Sequence, residues 1–317
     1  MKNKKIAITG GAGFIGSNLT RALAQDNEVI VIDDLSTGNL KNIRDLIDNQ
    51  TITFVKGSIT NLSLLQKIFK NVDYIFHEAA FASVTKSIKD PIYSNQVNIT
   101  GTLNVLVAAK DNNIKKIIYA SSSSVYGDTP TLPAIEEMKP CPLSPYAVSK
   151  ITGEYFCQFF TSNYDLSTIS LRYFNVYGLR QDPSNEYAAV IPIFIANVLN
   201  DKSLIIYGDG EQTRDFVFVN DVVNANILAA ESEVTGIFNI ASGKSVSIND
   251  LAKIIMKICN KNLDLVNKNV RPGDIRHSSA DISKAQQKLR YEPKFNLTDG
   301  LKLTVEWFQK RRKNIHQ

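Results

Sequence analysis

The sequence predicts a doubly wound parallel sheet of the α/β class, followed by a smaller C-terminal α/β part suited to holding a substrate. Three observations predict it. Short apolar runs recur through the first 174 residues, stretches with apolar residues at helical spacing alternate with them, and a glycine-rich turn joins the first run to the first stretch. Runs that are apolar at every position suit strands buried on both faces. Their alternation with helices implies a parallel sheet with right-handed crossovers.

The first element is Ile6-Ala7-Ile8, and Thr9-Gly10-Gly11-Ala12-Gly13-Phe14-Ile15-Gly16 follows it at once. Gly10 or Gly11 permits the tight turn, Gly13 lets backbone approach a pyrophosphate, and Gly16 lets the next helix pack against the strand. That helix begins near Phe14, so its unpaired N–H groups and positive dipole end, at Phe14 and Ile15, face the phosphates. The second strand is Val29-Ile30-Val31-Ile32, ending at Asp33 and Asp34, with Asp33 twenty residues beyond Gly13. A carboxylate there accepts from both ribose hydroxyls and repels a 2′-phosphate, which favours NAD over NADP. A glycine motif alone is weak evidence; here strand, helix, second strand and acid stand in register.

Residues 52–55, 74–76, 116–120 and 168–171 read as the next strands, and 62–69 and 98–110 carry helical spacing between them. Beyond residue 175 the pattern loosens into shorter elements: 188–199, 204–207 and 217–219. Residues 208–210 and 271–274 are turn signals that place polar side chains near loop ends. The expected division is a doubly wound (Rossmann) domain over 1–174, with a return segment at about 213–237, and a substrate domain made mainly from 175–317.

At 317 residues the chain is long enough for about two domains. Hydrophobic residues make up 44% and charged residues 21%, spread along its length, so disorder is not indicated. Cys141, Cys157 and Cys259 are odd in number and lack CxxC spacing, as expected of incidental thiols in a reducing compartment. The basic start is followed by glycines within five residues of the apolar run, so no secretory or membrane-spanning segment is read and a cytoplasmic location is expected. The net charge of +5 lies partly in Lys310-Arg311-Arg312-Lys313, a cluster without interleaved aromatics that suits a solvated helix end, and no nucleic-acid partner is expected. Three histidines without paired ligand spacing give no metal site.

Tyr146-Ala147-Val148-Ser149-Lys150 follows Pro142-Leu143-Ser144-Pro145, a helix start that puts Tyr146 and Lys150 on one face. A phenol of pKa about 10 is only about 0.1% ionised at pH 7, too little for a base. A neighbouring ammonium and a positive nicotinamide would favour phenolate, and a shift of about three units needs roughly 4 kcal/mol. Alone, Tyr-x-x-x-Lys is usually a surface pair. Its weight comes from Ser121-Ser122-Ser123-Ser124, placed where the strand 116–120 ends and a substrate oxygen would be held.

With these motifs in place, almost the whole chain resembles the extended short-chain dehydrogenases/reductases, and within them the UDP-sugar 4-epimerases, closest to those acting on UDP-N-acetylglucosamine. Further runs carry the resemblance: His77-Glu78-Ala79-Ala80, Asn98-Ile99-Thr100-Gly101, Leu171-Arg172-Tyr173-Phe174-Asn175, Gly208-Asp209-Gly210, Arg271-Pro272-Gly273-Asp274 and Ile275-Arg276-His277-Ser278. It implies Ser122 as the catalytic serine aided by Ser123, Tyr146 as base, and Lys150 on the nicotinamide ribose. Ser58, Ile59, Ala79, Ala80, Asn98 and Tyr173 would attend the cofactor. Ser83 and Asn175 would meet the substrate, Arg214 and Arg271 its diphosphate, and Asp274 the uridine ribose, while Ala189, Val190, Leu204, Ile206 and Tyr207 would flank uracil. Ser58 replaces an acid common in relatives, and Ala82 replaces a lysine of the glucose-type enzymes. The family's size gate falls on Ser278, small enough for a 2-acetamido group.

The implied reaction is a reversible 4-epimerisation through a transient 4-keto sugar with tightly held NAD, in a homodimer paired through helices near 95–110 and 146–162. A 4,6-dehydratase would need an acid pair where Ser123 and Ser124 stand. A UDP-glucuronate or UDP-N-acetylglucosaminuronate 4-epimerase would need a carboxylate anchor, for which Arg276 or His277 would serve. An NAD(H)-sensing regulator on the same fold would be expected to lack Tyr146 or Lys150.

Overall fold

The computed structural model describes residues 1–183, 189–270 and 275–313. The chain runs β1 (Lys5–Thr9), α1 (Phe14–Leu23), β2 (Glu28–Asp33), α2 (Arg44–Asp48), β3 (Ile52–Lys56), α3 (Leu62–Ile68) and β4 (Tyr74–His77). Next come α4 (Val84–Lys89), α5 (Pro91–Asn95), α6 (Gly101–Asp111), β5 (Lys116–Ser122), α7 (Pro145–Tyr164) and β6 (Ser167–Tyr173). The later elements are β7 (Asn175–Tyr177), α8 (Val190–Leu199), β8 (Leu204–Tyr207), β9 (Thr213–Phe218), α9 (Val219–Glu231) and β10 (Gly236–Ile240). Finally, β11 (Ser245–Ser247), α10 (Ile248–Ile258), β12 (Leu265–Lys268), α11 (Ser283–Leu289) and α12 (Leu297–Lys313) close the chain.

Seven parallel strands form the main sheet in the order β10-β6-β5-β4-β1-β2-β3. Successive strand residues point to opposite faces, so Ile6 and Ile8 pack with Leu19 and Leu23 of α1 and Val222 and Ala229 of α9. Ala7, Ile30 and Ile32 pack instead toward Leu65, Leu106 and Phe160 of α3, α6 and α7. The strand order reverses between β1 and β4, which opens a crevice at their carboxyl ends where the glycine turn and the segment after His77 meet. Gly10 adopts φ +71°, and a Cβ there would stand 2.6 Å from the Ala79 nitrogen. Only glycine fits both the dihedral and the approach.

The smaller part is built on β11-β9-β7 and the β8–β12 pair, around a separate core that includes Phe194, Leu204, Ile206, Phe218, Leu251, Ile255 and Leu301. Two boundaries differ from expectation. The strand at 213–218 belongs to this smaller sheet, and the segment that returns to the main sheet is α9 with β10. The seventh strand is hard to see in sequence because Asn239 interrupts its apolar run. Buried, Asn239 accepts from the Tyr126 hydroxyl and donates to the Ala134 and Asp281 carbonyls. Between α5 and α6 the helix widens into a π turn over Gln96–Thr100, which sends Val97 to the crevice and Asn98 inward.

Candidate active site

The crevice is lined by Gly10, Gly13, Phe14, Ile15, Gly16, Asp33, Asp34, Ser58, Ile59, Ala79, Ala80, Tyr146, Lys150 and Tyr173, all residues expected at a cofactor. Helix α1 starts at Gly13 with no side-chain cap and no acid in its first turn, so its N–H groups are open to an anion. At the far end Asp33 accepts N–H bonds from Ala12 (2.9 Å) and Leu35 (2.8 Å), which fix the carboxylate while leaving lone pairs for hydroxyl donors. A Cβ on Gly38 would stand 2.6 Å from Asp33 Oδ1, so that glycine keeps the acid's position open. An anion cradle and a diol acceptor fit a dinucleotide without a 2′-phosphate.

At the other end of the crevice lie Tyr146 and Lys150, two of the groups expected to react. The Ser144 hydroxyl caps α7 by accepting from Ala147 N–H, with Pro145 at the first helical position. Tyr146 and Lys150 follow on the face toward β5. The Lys150 ammonium donates to the Ala120 carbonyl at 2.7 Å and lies 5.7 Å from the Tyr146 ring centroid. Ser122 ends β5 near the phenol and holds it down against the effect of burial. Ser123, half-buried, begins the short 3₁₀ turn after it.

Electrostatics here depart from the expectation. Burial pushes the Tyr146 phenol up; the Ser122 hydroxyl opposes that rise and the charge of Glu78 adds to it. The Lys150 ammonium is itself drawn down to about 8 by burial, with Glu78 and Glu154 resisting. Within the protein the Ser122 hydroxyl draws the phenol down. A further positive charge brought into the crevice would favour the phenolate.

A second cavity, of about 560 Å³, is lined by Asn175, Ala189, Val190, Tyr207 and Arg214. Arg214 donates to the Thr213 carbonyl at 2.9 Å, and Asn175 to the Asp215 carbonyl at 3.3 Å. Several expected site residues lie elsewhere. Leu204 and Ile206 face the smaller core at 0% and 1% exposure; strand alternation turns Ile205 and Tyr207 to the cavity instead. Asn98 is a structural tie, accepting from Phe81 N–H at 2.7 Å and donating to Ser149 Oγ at 3.0 Å. Ser83 caps α4, its hydroxyl accepting from Lys86 N–H. Ser278 is buried beside β9, where its N–H donates to the Thr213 carbonyl. Arg271 and Asp274 fall outside the described residues.

Sequence reading missed two groups. Glu78 lines the crevice directly after β4, with Tyr173 donating to it at 2.9 Å. Glu154 lies one turn past Lys150 on the same face of α7 and is fully buried. It takes Arg172 Nε at 2.9 Å and Nη2 at 2.7 Å, and the Ser121 hydroxyl donates to it as well. The i, i+4, i+8 spacing of Tyr146, Lys150 and Glu154 was available in sequence; the arginine that makes a buried acid tenable was not.

A dinucleotide crevice at the switch point of a doubly wound sheet, with serine, tyrosine and lysine gathered at one end, defines a short-chain dehydrogenase/reductase. The chain belongs to the NAD dependent epimerase/dehydratase family, whose model matches residues 6–241. It is 41% identical over 307 residues to a putative UDP-glucose 4-epimerase of Methanocaldococcus jannaschii, covering 96% of this chain and 98% of that one. Among solved structures it resembles a UDP-N-acetylglucosamine 4-epimerase from Methanobrevibacter ruminantium in complex with UDP-N-acetylmuramic acid, at 45% identity and TM-score 0.95, covering 98% of this chain and all of the other (100%). A UDP-glucuronic acid 4-epimerase from Bacillus cereus, solved with UDP-glucuronic acid and NAD, matches at 34% identity and TM-score 0.90, covering 97% and 99%. NAD is the cofactor of the family, and the crevice fits it.

Proposed function

We propose that this NAD-dependent UDP-sugar 4-epimerase interconverts UDP-N-acetylglucosamine and UDP-N-acetylgalactosamine. The choice of sugar rests on the family resemblance, which puts the size gate at Ser278; its side chain is small and buried beside β9. The 45% identical structural relative named for UDP-N-acetylglucosamine supports the same reading. Arg276, one of two side chains able to anchor a uronate, is engaged with Asp209 through both terminal nitrogens at 2.8 Å, which favours an uncharged hexose.

In this reading Arg214 and Asn175 hold the diphosphate end in the larger cavity, and Ile205 and Tyr207 wall the base. Tyr146 takes the proton of the 4-hydroxyl, with Ser122 holding the same oxygen. Lys150, tied to Ala120, orients the nicotinamide ribose. Bound NAD⁺ supplies a hydride acceptor for carbon 4 and, once reduced, a donor to the opposite face of the 4-keto sugar. Tyr146 returns the proton, so each cycle restores the starting state.

Ser278→Tyr is expected to abolish turnover of UDP-N-acetylglucosamine while leaving UDP-glucose turnover measurable, read by NMR of the product sugars. Unchanged acetamido-sugar rates in a folded variant would refute the gate. We also propose the homodimer, with the helix at 146–162 (α7) in the interface; the exposed apolar side chains beside it, Ile88, Ile92, Val148, Tyr155 and Phe159, lie on α4, α5 and α7 and not on the expected helix near 95–110. Tyr155→Glu is expected to shift sedimentation from dimer to monomer; a wild type that sediments as a monomer refutes the pairing.

A further inference from the structure

Three acids line the crevice among the described residues: Asp33, Asp34 and Glu78. Asp33 ends β2 and Asp34 follows it, at the end where Ser58 and Ile59 lie. Glu78 is alone at the other end, with Tyr146, Lys150 and Tyr173. It is held there from several directions. Its N–H donates to the Thr9 carbonyl at 3.1 Å, extending the β1–β4 pairing to the switch point. Tyr173 of β6 donates to its carboxylate at 2.9 Å, and Asn226 of α9 donates to that hydroxyl in turn at 2.8 Å. Nothing in the proton transfer at Tyr146 uses this carboxylate. Its charge raises the phenol and so works against the base. The other acid near this end, Glu154, is neutralised by Arg172.

We propose that Glu78 is a positioning residue for the redox state of the cofactor, its carboxylate favouring the cationic, oxidised nicotinamide over the neutral, reduced one. This rests on the reading that the nicotinamide lies at the Tyr146 end of the crevice. The physical basis is Coulombic. Oxidised and reduced rings differ by one elementary charge, and a fixed anion stabilises the cationic form more. At an effective dielectric of about 20, one charge about 10 Å away changes such an equilibrium tenfold or more. An enzyme that must leave its cofactor oxidised after every cycle gains from a built-in anion that resists trapping of the reduced form with product released. Burial pushes the Glu78 carboxyl up to about 7, and Tyr173 and Lys150 oppose that rise. A cationic ring beside it would oppose the rise too, so the carboxylate and the oxidised cofactor support each other's charge.

The test uses purified holoenzyme, wild type and Glu78→Gln, at about pH 8.5, above the carboxyl's own titration. Each is equilibrated with a soluble redox couple of known potential, and the reduced fraction of bound dinucleotide is read from its near-ultraviolet absorbance. Glutamine keeps an acceptor for the Tyr173 hydroxyl and removes only the charge. The expected result is a shift of about tenfold toward the reduced form, about 30 mV for a two-electron couple. Glu78→Ala shifts the same way, which preserves the test if glutamine is not tolerated, and Glu78→Asp stays nearer the wild type because it keeps the charge. A glutamine variant that holds dinucleotide but titrates within about twofold of wild type, near 9 mV, overturns the proposal. A wild type from which denaturation releases no dinucleotide overturns the cofactor reading itself, a result distinguishable from the first.

Discussion

Tyr146→Phe lowers kcat for epimerisation by roughly 10²–10⁴-fold, the usual worth of a positioned general base, while the dinucleotide stays bound. The substitution removes one oxygen from a half-buried ring at the start of α7 that lines the crevice. Packing and helix start are preserved: the Ser144 cap bonds Ala147, and the Tyr146 N–H to Ser87 Oγ (3.1 Å) belongs to the backbone. The Ser122 hydroxyl near the lost oxygen retains its bond from Ser124 N–H at 3.2 Å. Turnover of UDP-N-acetylglucosamine followed by NMR, beside the dinucleotide released on denaturation, separates chemistry from binding. An unchanged kcat in a variant with normal dinucleotide content removes Tyr146 from the mechanism.

Arg172→Met destabilises the fold by about 3–5 kcal/mol, because it leaves the Glu154 carboxylate buried without its cation. The pair is bidentate, at 2.9 and 2.7 Å, with Arg172 2% and Glu154 0% exposed at their side chains. The Arg172 guanidinium also lies 4.7 Å from the Tyr126 ring centroid and donates to the Glu136 carbonyl at 3.3 Å, so it joins β6, α7 and the loop after β5. A denaturant midpoint reads the loss. The double variant Arg172→Met with Glu154→Leu is expected to recover most of it, since two apolar side chains replace the pair without leaving a charge behind. A double variant less stable than either single one would show that the pair contributes more than it loses by desolvation. The consequence for function follows from Ser121, whose hydroxyl donates to Glu154 and whose residue lines the cofactor crevice. Loosening the pair loosens the floor on which Ser122 and Tyr146 meet.

The parts legible in the sequence share a short range. The glycine turn, the helix start at Phe14, the acid at the end of β2 and the Tyr146/Lys150 spacing are each decided within about a turn or a strand of their own residues. The first six parallel strands were readable because their runs are mostly apolar, most clearly Ile6-Ala7-Ile8 and Val29-Ile30-Val31-Ile32, as suits strands buried on both faces. The seventh was not, since Asn239 breaks its run and is tolerated only because Tyr126, Ala134 and Asp281 satisfy it. At β8 the alternation sorts 204 and 206 from 205 and 207. Which pair turns inward depends on the smaller core, so Leu204 and Ile206 were placed on the wrong side.

By itself, then, the sequence determined the doubly wound sheet, the dinucleotide cradle and the residues that would carry proton transfer, because each is written in local spacing. Only the tertiary structure decided the charge around them. Glu78 meets Tyr173 across 95 residues and Glu154 meets Arg172 across 18, and whether a carboxylate is neutralised or left to act on its neighbours depends on which distant strand or helix arrives beside it.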